Sequence, residues 1–348
     1  MTGRVVGATT ALDRRDEMFI QPDEHILLFE NSSRRTFTID ELKSLVDAGT
    51  RTMLRFQYGS DIEPTMGVYD WTQFDEVVDR CQKAGMKLIV QAPASPPRCY
   101  PVEWYAKCEN GLVKNDRAAP TLSFWNKDAM DRMDALIEMI CKRYNSETVL
   151  VVSSLNWEGE CIYMPSSEKP FEFPVFDDSA RQSYSQFTGV PNSRPNIGNA
   201  ATLDWLYRKF TETMVRTQKI YAANSKHQEL WMQLHWAFAN SPQTGCRDIP
   251  AMYLAVKEET GCDVNHIFFT GYDFPLDTPL SFQKRAGMKL WLGACWCEGL
   301  RLNTPSAVAN KFRGLVCAPI HEYLKYERLE PWMLETFRWS NKQWGQNV

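Results

Sequence analysis

The sequence of 348 residues lacks the features that mark several classes of protein. It has no apolar run near the roughly 20 residues that a membrane-spanning helix needs. Its ten cysteines include no C-x-x-C pair, which argues against a zinc ribbon or a thioredoxin-type motif. Its 39 basic and 43 acidic residues are interspersed and form no basic stripe of the kind that binds nucleic acid. We therefore expect a globular protein whose partners include neither membrane nor nucleic acid.

The start of the chain also lacks a secretion pattern. The segment MTGRVVGATTALDRRDE contains no uninterrupted apolar core, so we expect a cytoplasmic protein. A composition of 44% apolar and 24% charged residues excludes collagen-like and disordered classes. The length and the absence of internal repeats predict one domain over residues 1–348, with 1–24 as an N-terminal extension.

What the sequence does contain, from about residue 25 onward, is an alternation of short apolar runs with longer amphipathic stretches. The apolar runs predict eight strands: His25–Phe29, Thr52–Tyr58, Lys87–Gln91, Thr148–Leu155, Leu230–His235, His266–Tyr272, Lys289–Ala294 and Leu315–Ile320. The amphipathic stretches predict helices at Ile39–Ala48 (capped by Asp40), Phe74–Ala84, Asp128–Tyr144, Thr202–Asn224, Ile249–Thr260, Leu280–Ala286, Pro305–Phe312 and Glu330–Trp344.

Three of these helices are followed by a glycine and then a strand, at Gly85, Gly287 and Gly314, as in repeated βα units. Eight strand–helix units predict an α/β protein with a closed (β/α)8 TIM barrel. A doubly wound open sheet is the alternative, but it often carries a glycine-rich phosphate loop after the first strand, and none is present.

Long insertions follow predicted strands three and four, at Ala92–Lys127 and Cys161–Ala201. A barrel builds its active site at the carboxyl ends of its strands, so these insertions are expected to border the site. Their aromatic residues favour ordered walls: Tyr100, Trp104, Tyr105, Phe124, Trp125, Tyr163, Phe171 and Phe173.

Two sets of carboxylates follow predicted strands. Glu158 and Glu160 come after strand four, and Glu298 comes after strand seven. Packing beside Trp157 and Tyr163 would raise the pKa of one of the first two and suit it to general acid catalysis. A pair of carboxyl groups flanking one bond is the arrangement that cleaves glycosides. The alternatives are a solvated turn at Glu158–Glu160 and a solvent-facing Glu298, because Cys295 lies nearer the expected strand end.

Further residues at the predicted strand ends are candidates for substrate binding. Arg55 lies inside an apolar run, where an arginine needs an anionic partner. The full set of substrate-binding candidates is Arg55, Asn156, Trp157, Tyr163, His235, Trp236, Tyr272, Asp273, Trp296 and Glu322.

The stretch from about residue 37 to 165 resembles the clan A glycoside hydrolases, in particular the family 42 β-galactosidases. The matching segments are IEPTMGVYDW (62–71), FDEVV (74–78), AGMKLIV (84–90) and ASPP (94–97). The resemblance implies a (β/α)8 barrel, exo-glycosidase activity on a carbohydrate, and no cofactor or metal. It also implies that Arg55 corresponds to the family's arginine on strand two.

The acid motif departs from the family 42 pattern. Asn156 lies near the family's asparagine, but Trp157 intervenes before Glu158, so the adjacent Asn-Glu pair is absent. The run GECIYMPS (159–166) resembles the "GELRYPS" acid motif of the β-amylases instead. This match favours Glu160 over Glu158 as the acid and leaves both retention and inversion of the anomeric configuration open.

Two other functions stay open from the sequence. Cys295 and the absent Asn-Glu pair fit a carbohydrate-binding barrel that has lost catalysis, and His235, Asp273 and His321 fit a metal-dependent barrel hydrolase. Association of copies into a homo-oligomer is likewise left open.

Overall fold

The computed structural model has eight parallel strands with helices between them. It describes residues 18–30, 36–113, 115–116, 119–153, 174–196, 198–232, 249–269, 277–294, 297–318, 326 and 328–348.

The eight strands coincide closely with the predicted apolar runs. They are β1 Ile26–Glu30, β2 Thr52–Phe56, β3 Lys87–Gln91, β4 Val149–Val152, β5 Glu229–Met232, β6 Asp263–Phe269, β7 Trp291–Ala294 and β8 Gly314–Cys317. Hydrogen bonds join them in the order β4-β3-β2-β1-β8-β7-β6-β5. The strands at the two ends of this order, β4 and β5, contact each other, so the sheet is a nearly closed barrel. The predicted (β/α)8 fold is confirmed.

Nine helices of at least nine residues lie in the described part of the chain. They are α1 Ile39–Asp47, α2 Thr72–Ala84, α3 Lys127–Tyr144, α4 Asp178–Thr188, α5 Ala200–Asn224, α6 Ile249–Thr260, α7 Asp277–Ala286, α8 Cys297–Ala309 and α9 Pro331–Gln343. A single helical turn, Gly59–Ile62, follows β2, and a two-stranded hairpin pairs 115–116 with 119–120.

The start of α1 differs from the prediction. Thr38, and not Asp40, caps the helix: its hydroxyl accepts a hydrogen bond from the backbone N–H of Glu41, and the Glu41 carboxylate accepts one from the backbone N–H of Thr38. This reciprocal capping box leaves Asp40 in the first turn, where its charge favours the helix N-terminus.

Two further helices differ from the prediction. α8 begins at Cys297 and contains Pro305 in its interior, so the first two turns of the helix were missed by a prediction that began at the proline. α4 lies within the second insertion and was not predicted at all. Asp177 caps it by accepting a hydrogen bond from the backbone of Ala180, and Gly189 ends it with a φ of 69°.

Alternate residues of each strand face two different layers. In β1, Ile26 and Leu28 pack against the helices, whereas Leu27 and Phe29 fill the barrel interior. The interior also contains Leu54, Ile89, Leu150, Val152, Trp231, Ile267, Trp291 and Val316. The barrel interior is therefore a packed core of side chains and not a pore.

The amino-terminal end of the barrel is covered by residues 18–25, which we call the N-terminal plug. Phe19 and Ile20 are buried among the interior side chains. Lys87 donates a hydrogen bond to the carbonyl of Phe19 (2.8 Å), and the backbone of Ile20 donates one to Glu229 (3.4 Å). Both side chains come from the first residues of strands, so the described end of the predicted extension closes the face opposite to the predicted site.

Within the ranges given above, no helix combines the length and apolar character needed to cross a bilayer.

Candidate active site

The predicted site lies at the carboxyl ends of the strands, and the structure describes two of its residues, Arg55 and Glu298. The other predicted site residues lie outside the described part of the chain, and their roles stay predictions: Asn156, Trp157, Glu158, Glu160, Tyr163, His235, Trp236, Tyr272, Asp273, Trp296 and Glu322.

Arg55 has the anionic partner that the sequence required. Its guanidinium bonds to Oε1 of Glu30, which is its register neighbour on β1. Arg80 of α2 donates to the same oxygen (2.6 Å), and the backbone of Phe37 donates to Oε2 (2.7 Å). Burial lowers the pKa of Arg55 to about 10, so the guanidinium keeps its charge at neutral pH.

The strand alternation determines which way Arg55 faces. Leu54 and Phe56 belong to the barrel interior, whereas Met53 packs in the helix-facing core. Arg55 lies on the same side of β2 as Met53. In the helix layer it contacts Glu30, the carboxylate that Arg80 also binds. The arrangement fixes β1, β2 and α2 to one another just below the mouth of the barrel, and the substrate-binding role of Arg55 stays a prediction.

Glu298 lies past the end of β7, in the first turn of α8, and its side chain is exposed. β7 ends at Ala294, so Cys295 is the first residue after the strand and Glu298 the fourth. A carboxylate in a first helical turn is favoured by the helix dipole. Because it follows β7 by four residues, Glu298 lies near the carboxyl end of the barrel. Its exposed side chain agrees with the solvent-facing alternative given above.

Glu63 is a buried carboxylate that the sequence did not single out as a structural centre. It accepts hydrogen bonds from the backbone of Gly67 (2.7 Å) and the hydroxyl of Tyr100 (2.9 Å), and it forms an ion pair with Arg132. Arg132 also donates to the hydroxyl of Tyr69 (2.8 Å). The segment after β2, the segment after β3 and α3 are thus held together at one point.

Burial and the neighbouring carboxylate of Glu63 raise the pKa of Tyr100, so its hydroxyl keeps the proton that it donates. Glu63, Gly67 and Tyr69 belong to a segment that supported the family resemblance. The sequence did not indicate that Glu63 binds the other two segments.

The chain segments that leave β2 and β3 continue to pair beyond the strands. The backbone of Ala94 donates to the carbonyl of Gln57 (2.7 Å), and that of Gly59 donates to the carbonyl of Ser95 (3.0 Å). A Cβ on Gly59 would lie 2.2 Å from this carbonyl oxygen, so only glycine permits the approach. These bonds give one side of the barrel mouth a fixed backbone frame.

The two long insertions meet in an aromatic wall, which we define as Trp125, Trp205 and Tyr184. Trp125 of the first insertion stacks on Trp205 of α5, with ring centroids 4.4 Å apart. Tyr184 of α4 contacts Trp205 edge-on at 5.1 Å. Trp125 is one of the aromatic residues from which ordered walls were predicted, whereas Trp205 and Tyr184 were not among them.

No group of three or more His, Cys, Asp or Glu side chains with the geometry of a metal site occurs within the described ranges. His235, Asp273 and His321, which the metal-dependent alternative requires, lie outside them.

The sequence matches the Glyco_hydro_42 family, which is described as beta-galactosidase, over residues 31–213, just over half of the chain. No curated protein matches the sequence significantly. Among solved structures, the chain resembles the catalytic domain of a beta-amylase from Paenibacillus polymyxa with a TM-score of 0.64 and 10% identity, covering 92% of this chain and 98% of that one.

Two beta-galactosidases are similar to the same degree. That from Marinomonas ef1 gives a TM-score of 0.62 at 12% identity, covering 91% of this chain and 59% of that one. That from the haloarchaeon Halorubrum lacusprofundi gives 0.63 at 11% identity, covering 93% and 58%. The chain thus spans less than two thirds of the length of these beta-galactosidases. At such identities the likeness establishes the shared barrel fold.

Proposed function

The chain belongs to glycoside hydrolase family 42, and from this membership we propose that it hydrolyses a glycosidic bond of a carbohydrate at the carboxyl end of its barrel. The finer proposal is an exo-acting, β-galactosidase-like reaction that uses two glutamates. Glu160 is the general acid, with Glu158 as the alternative, and Glu298 is the nucleophile or base.

The observation that carries this proposal is where the two carboxylate-bearing segments leave the sheet. Glu160 follows the end of β4 by eight residues, and Glu298 follows the end of β7 by four. The strands of the nearly closed barrel are parallel, so β4 and β7 end at the same mouth, and on one side they are separated by β5 and β6. Two carboxyl groups on opposite sides of a sugar perform the reaction when one protonates the leaving oxygen and the other attacks the anomeric carbon or activates water.

The remaining predicted residues have supporting roles in this proposal. Asn156 and Tyr272 orient the carboxylates and the sugar, and the aromatic side chains of the insertions contact the sugar rings through their apolar faces. Arg55 acts by holding Glu30 and the frame below the site.

A panel of aryl glycosides tests the proposal, with Glu160→Gln, Glu158→Gln and Glu298→Gln beside the wild type. We expect a loss of kcat/KM of about 100-fold or more for the catalytic pair. For the acid variant the loss becomes smaller with better leaving groups, because these need less protonation; for Glu298→Gln it is the same with all leaving groups.

The matched control is Glu258→Gln, an exposed glutamate near the end of α6, on the opposite face of the barrel. It is expected to keep wild-type activity. Full activity in all three test variants would contradict the assignment.

A carbohydrate-binding barrel without turnover is a second candidate function. The exposed position of Glu298 on α8, with Cys295 directly after β7, favours it. Calorimetric binding of a sugar by a wild-type protein that hydrolyses nothing in the panel would select this function.

A further inference from the structure

Two side chains of opposite charge lie near each other where the chain leaves β2 and β3. Asp61 belongs to the helical turn Gly59–Ile62, which begins three residues after the end of β2. Arg98 belongs to the segment that follows β3 and lies seven residues past the end of that strand. Because β2 and β3 are parallel, both segments leave the sheet at the mouth of the barrel. Neither residue was among the predicted site residues.

On one side of Arg98, Pro97 packs against the turn that carries Asp61. A Cβ on Gly59, the first residue of the turn, would lie 2.9 Å from Cδ of Pro97. The hydroxyl of Tyr105 donates a hydrogen bond to the carbonyl of Pro97 (2.8 Å). Pro97 is therefore fixed against the start of the turn.

On the other side of Arg98, Cys99 is bound to the end of the same turn. Its Sγ donates a hydrogen bond to the carbonyl of Glu63 (3.4 Å), and the side chain of Glu63 is itself fixed by the bonds described above. Arg98 thus lies between two residues that contact the two ends of the segment 59–63. The middle residue of this segment is Asp61, so the backbone holds the two charged residues close to each other.

The two side chains attract each other but do not form an ion pair. Burial raises the pKa of the Asp61 carboxyl group, and the positive charges of Arg55 and Arg98 act in the opposite direction. Among the described residues, neither the Asp61 nor the Arg98 side chain has a hydrogen bond or an ion pair. Asp61 is partly exposed and Arg98 is exposed. The acceptors of one and the donors of the other are therefore open to a ligand.

Two adjacent hydroxyl groups of a sugar match this arrangement. A carboxylate only accepts hydrogen bonds and a guanidinium only donates them, whereas a hydroxyl group does both. One hydroxyl can donate to Asp61 while its neighbour accepts from Arg98. Hydrogen bonds with one charged partner are roughly twice as strong as neutral ones. Because the two side chains are not paired with each other, a ligand replaces water and breaks no bond within the protein.

We propose that Asp61 and Arg98 bind two adjacent hydroxyl groups of a sugar unit at the β2–β3 side of the barrel mouth. β3 pairs with β4, and the segment after β4 carries Glu158 and Glu160, so the pair lies one strand away from the segment of the proposed acid. The proposal rests on the proposed function and names a part of the substrate that the barrel recognises. A sugar that lacks one of the two hydroxyls loses a charge-assisted hydrogen bond and binds more weakly.

Calorimetric binding of deoxy sugars tests the proposal. The probe is the methyl glycoside of the sugar that is cleaved fastest in the aryl glycoside panel or, without turnover, bound most tightly, together with its monodeoxy analogues. The wild type should show a Kd about tenfold higher for each of two analogues that lack adjacent hydroxyls. Asp61→Ala and Arg98→Ala should each raise the Kd of the parent glycoside about tenfold. Each variant should then bind the analogue that lacks its own partner hydroxyl as well as it binds the parent.

The matched control is Asp47→Ala, which removes an exposed carboxylate at the end of α1, just before β2 begins and hence at the opposite face of the barrel. It should keep the wild-type Kd for every analogue. Since the side chains of Asp61 and Arg98 form no bond with other described residues, their alanine variants should unfold within about 2 °C of the wild type.

The outcomes separate this proposal from the proposed function. If the wild type cleaves or binds a sugar while both alanine variants keep the wild-type Kd, or while they weaken the binding of all analogues equally, the role of the pair is refuted and the proposed function stands. A wild type that binds a sugar without cleaving it removes the hydrolysis, and the deoxy analogues then still decide the role of the pair. A wild type that neither cleaves nor binds any sugar of the panel refutes both.

Discussion

At the scale of single residues, the buried carboxylate of Glu30 is shared by two arginines. Its side chain is 0% exposed, and those of Arg55 and Arg80 are 4% and 17% exposed. Removing such charges from water is costly, and their mutual attraction offsets the cost only while all partners are present. The sequence predicted an anionic partner for Arg55, because an arginine inside an apolar run needs one, but it could not identify that partner. Glu30 lies 25 residues earlier and becomes its neighbour only through the pairing of β1 with β2.

Glu30→Gln is therefore expected to lower the free energy of unfolding by about 3–5 kcal/mol, because two buried guanidinium groups lose their counter-charge. Urea denaturation at pH 7 measures the effect. The control is Asp79→Asn, which breaks an exposed pair with Lys83 (2.7 Å) on α2. It should cost less than about 0.5 kcal/mol. Equal losses in the two variants would refute the argument from burial.

At the scale of secondary-structure elements, the three glycines that separate helices from strands serve two different purposes. Gly85 and Gly287 have φ values of 72° and 63°, the left-handed conformation that ends a helix. Gly314 instead lies within β8, and the positive φ before that strand belongs to Lys311 (57°). A Cβ on Gly314 would lie 2.2 Å from the carbonyl oxygen of His25 and 2.4 Å from the ring of Trp291. Here glycine is required by close packing and not by a positive φ. The sequence pattern of helix, glycine and strand is the same in both cases and could not distinguish them.

Gly314→Ala should consequently destabilise the protein by about 3 kcal/mol, the upper range for overpacking a core. Gly85→Ala should cost about 1 kcal/mol, because its added methyl group meets nothing within 4 Å and only the conformation is strained. Thermal unfolding of the two variants compares them directly. A Gly314 variant as stable as the Gly85 variant would contradict the steric explanation.

Helix prediction failed where local chemistry was misleading. Proline favours the first turn of a helix, and the predicted helix begins at Pro305, yet α8 begins at Cys297. α4 was missed because its short amphipathic stretch is surrounded by turn-forming residues, although Asp177 and Gly189 bound it as a cap and a stop. α2 and α6, each followed by a glycine, were predicted to within two residues at each end, whereas α7, followed by Gly287, begins three residues before its predicted start.

At the scale of the whole molecule, the fold was predictable because most of the strands are short, apolar and almost completely buried. Runs such as Lys87–Gln91 in β3 have the length and apolar character of a buried strand, and eight of them suit a closed barrel. The candidate site was less predictable. Its carboxylates follow strands four and seven along segments whose course depends on long-range packing, and the described part of the chain includes only Glu298 and Arg55. Contacts that join distant segments, such as Ser123 with Asp177, leave no periodic signal in the sequence.

The N-terminal plug is another long-range feature, and it makes stability depend on pH. Glu229, the first residue of β5, is 1% exposed, and its Oε1 accepts from the backbone of Ile20. Burial raises the pKa of Glu229 from 4.5 to about 7, although Lys87 and Arg313 act in the opposite direction. Asp263, the first residue of the neighbouring strand β6, adds to the increase. The folded protein therefore holds the proton at a pH at which the unfolded chain has released it.

Because the folded pKa lies above the unfolded one, the stabilisation from this group is fully present below pH 4.5 and is lost as the pH rises through about 7. The loss amounts to about 3 kcal/mol, at 1.36 kcal/mol for each pKa unit. Glu229→Gln cannot ionise, so the difference in unfolding free energy between this variant and the wild type should change by that amount between pH 4.5 and 8. Urea titrations at several pH values measure it, with Glu258→Gln as an exposed control that keeps the wild-type profile. A constant difference across this range would mean that Glu229 does not hold a proton beneath the plug.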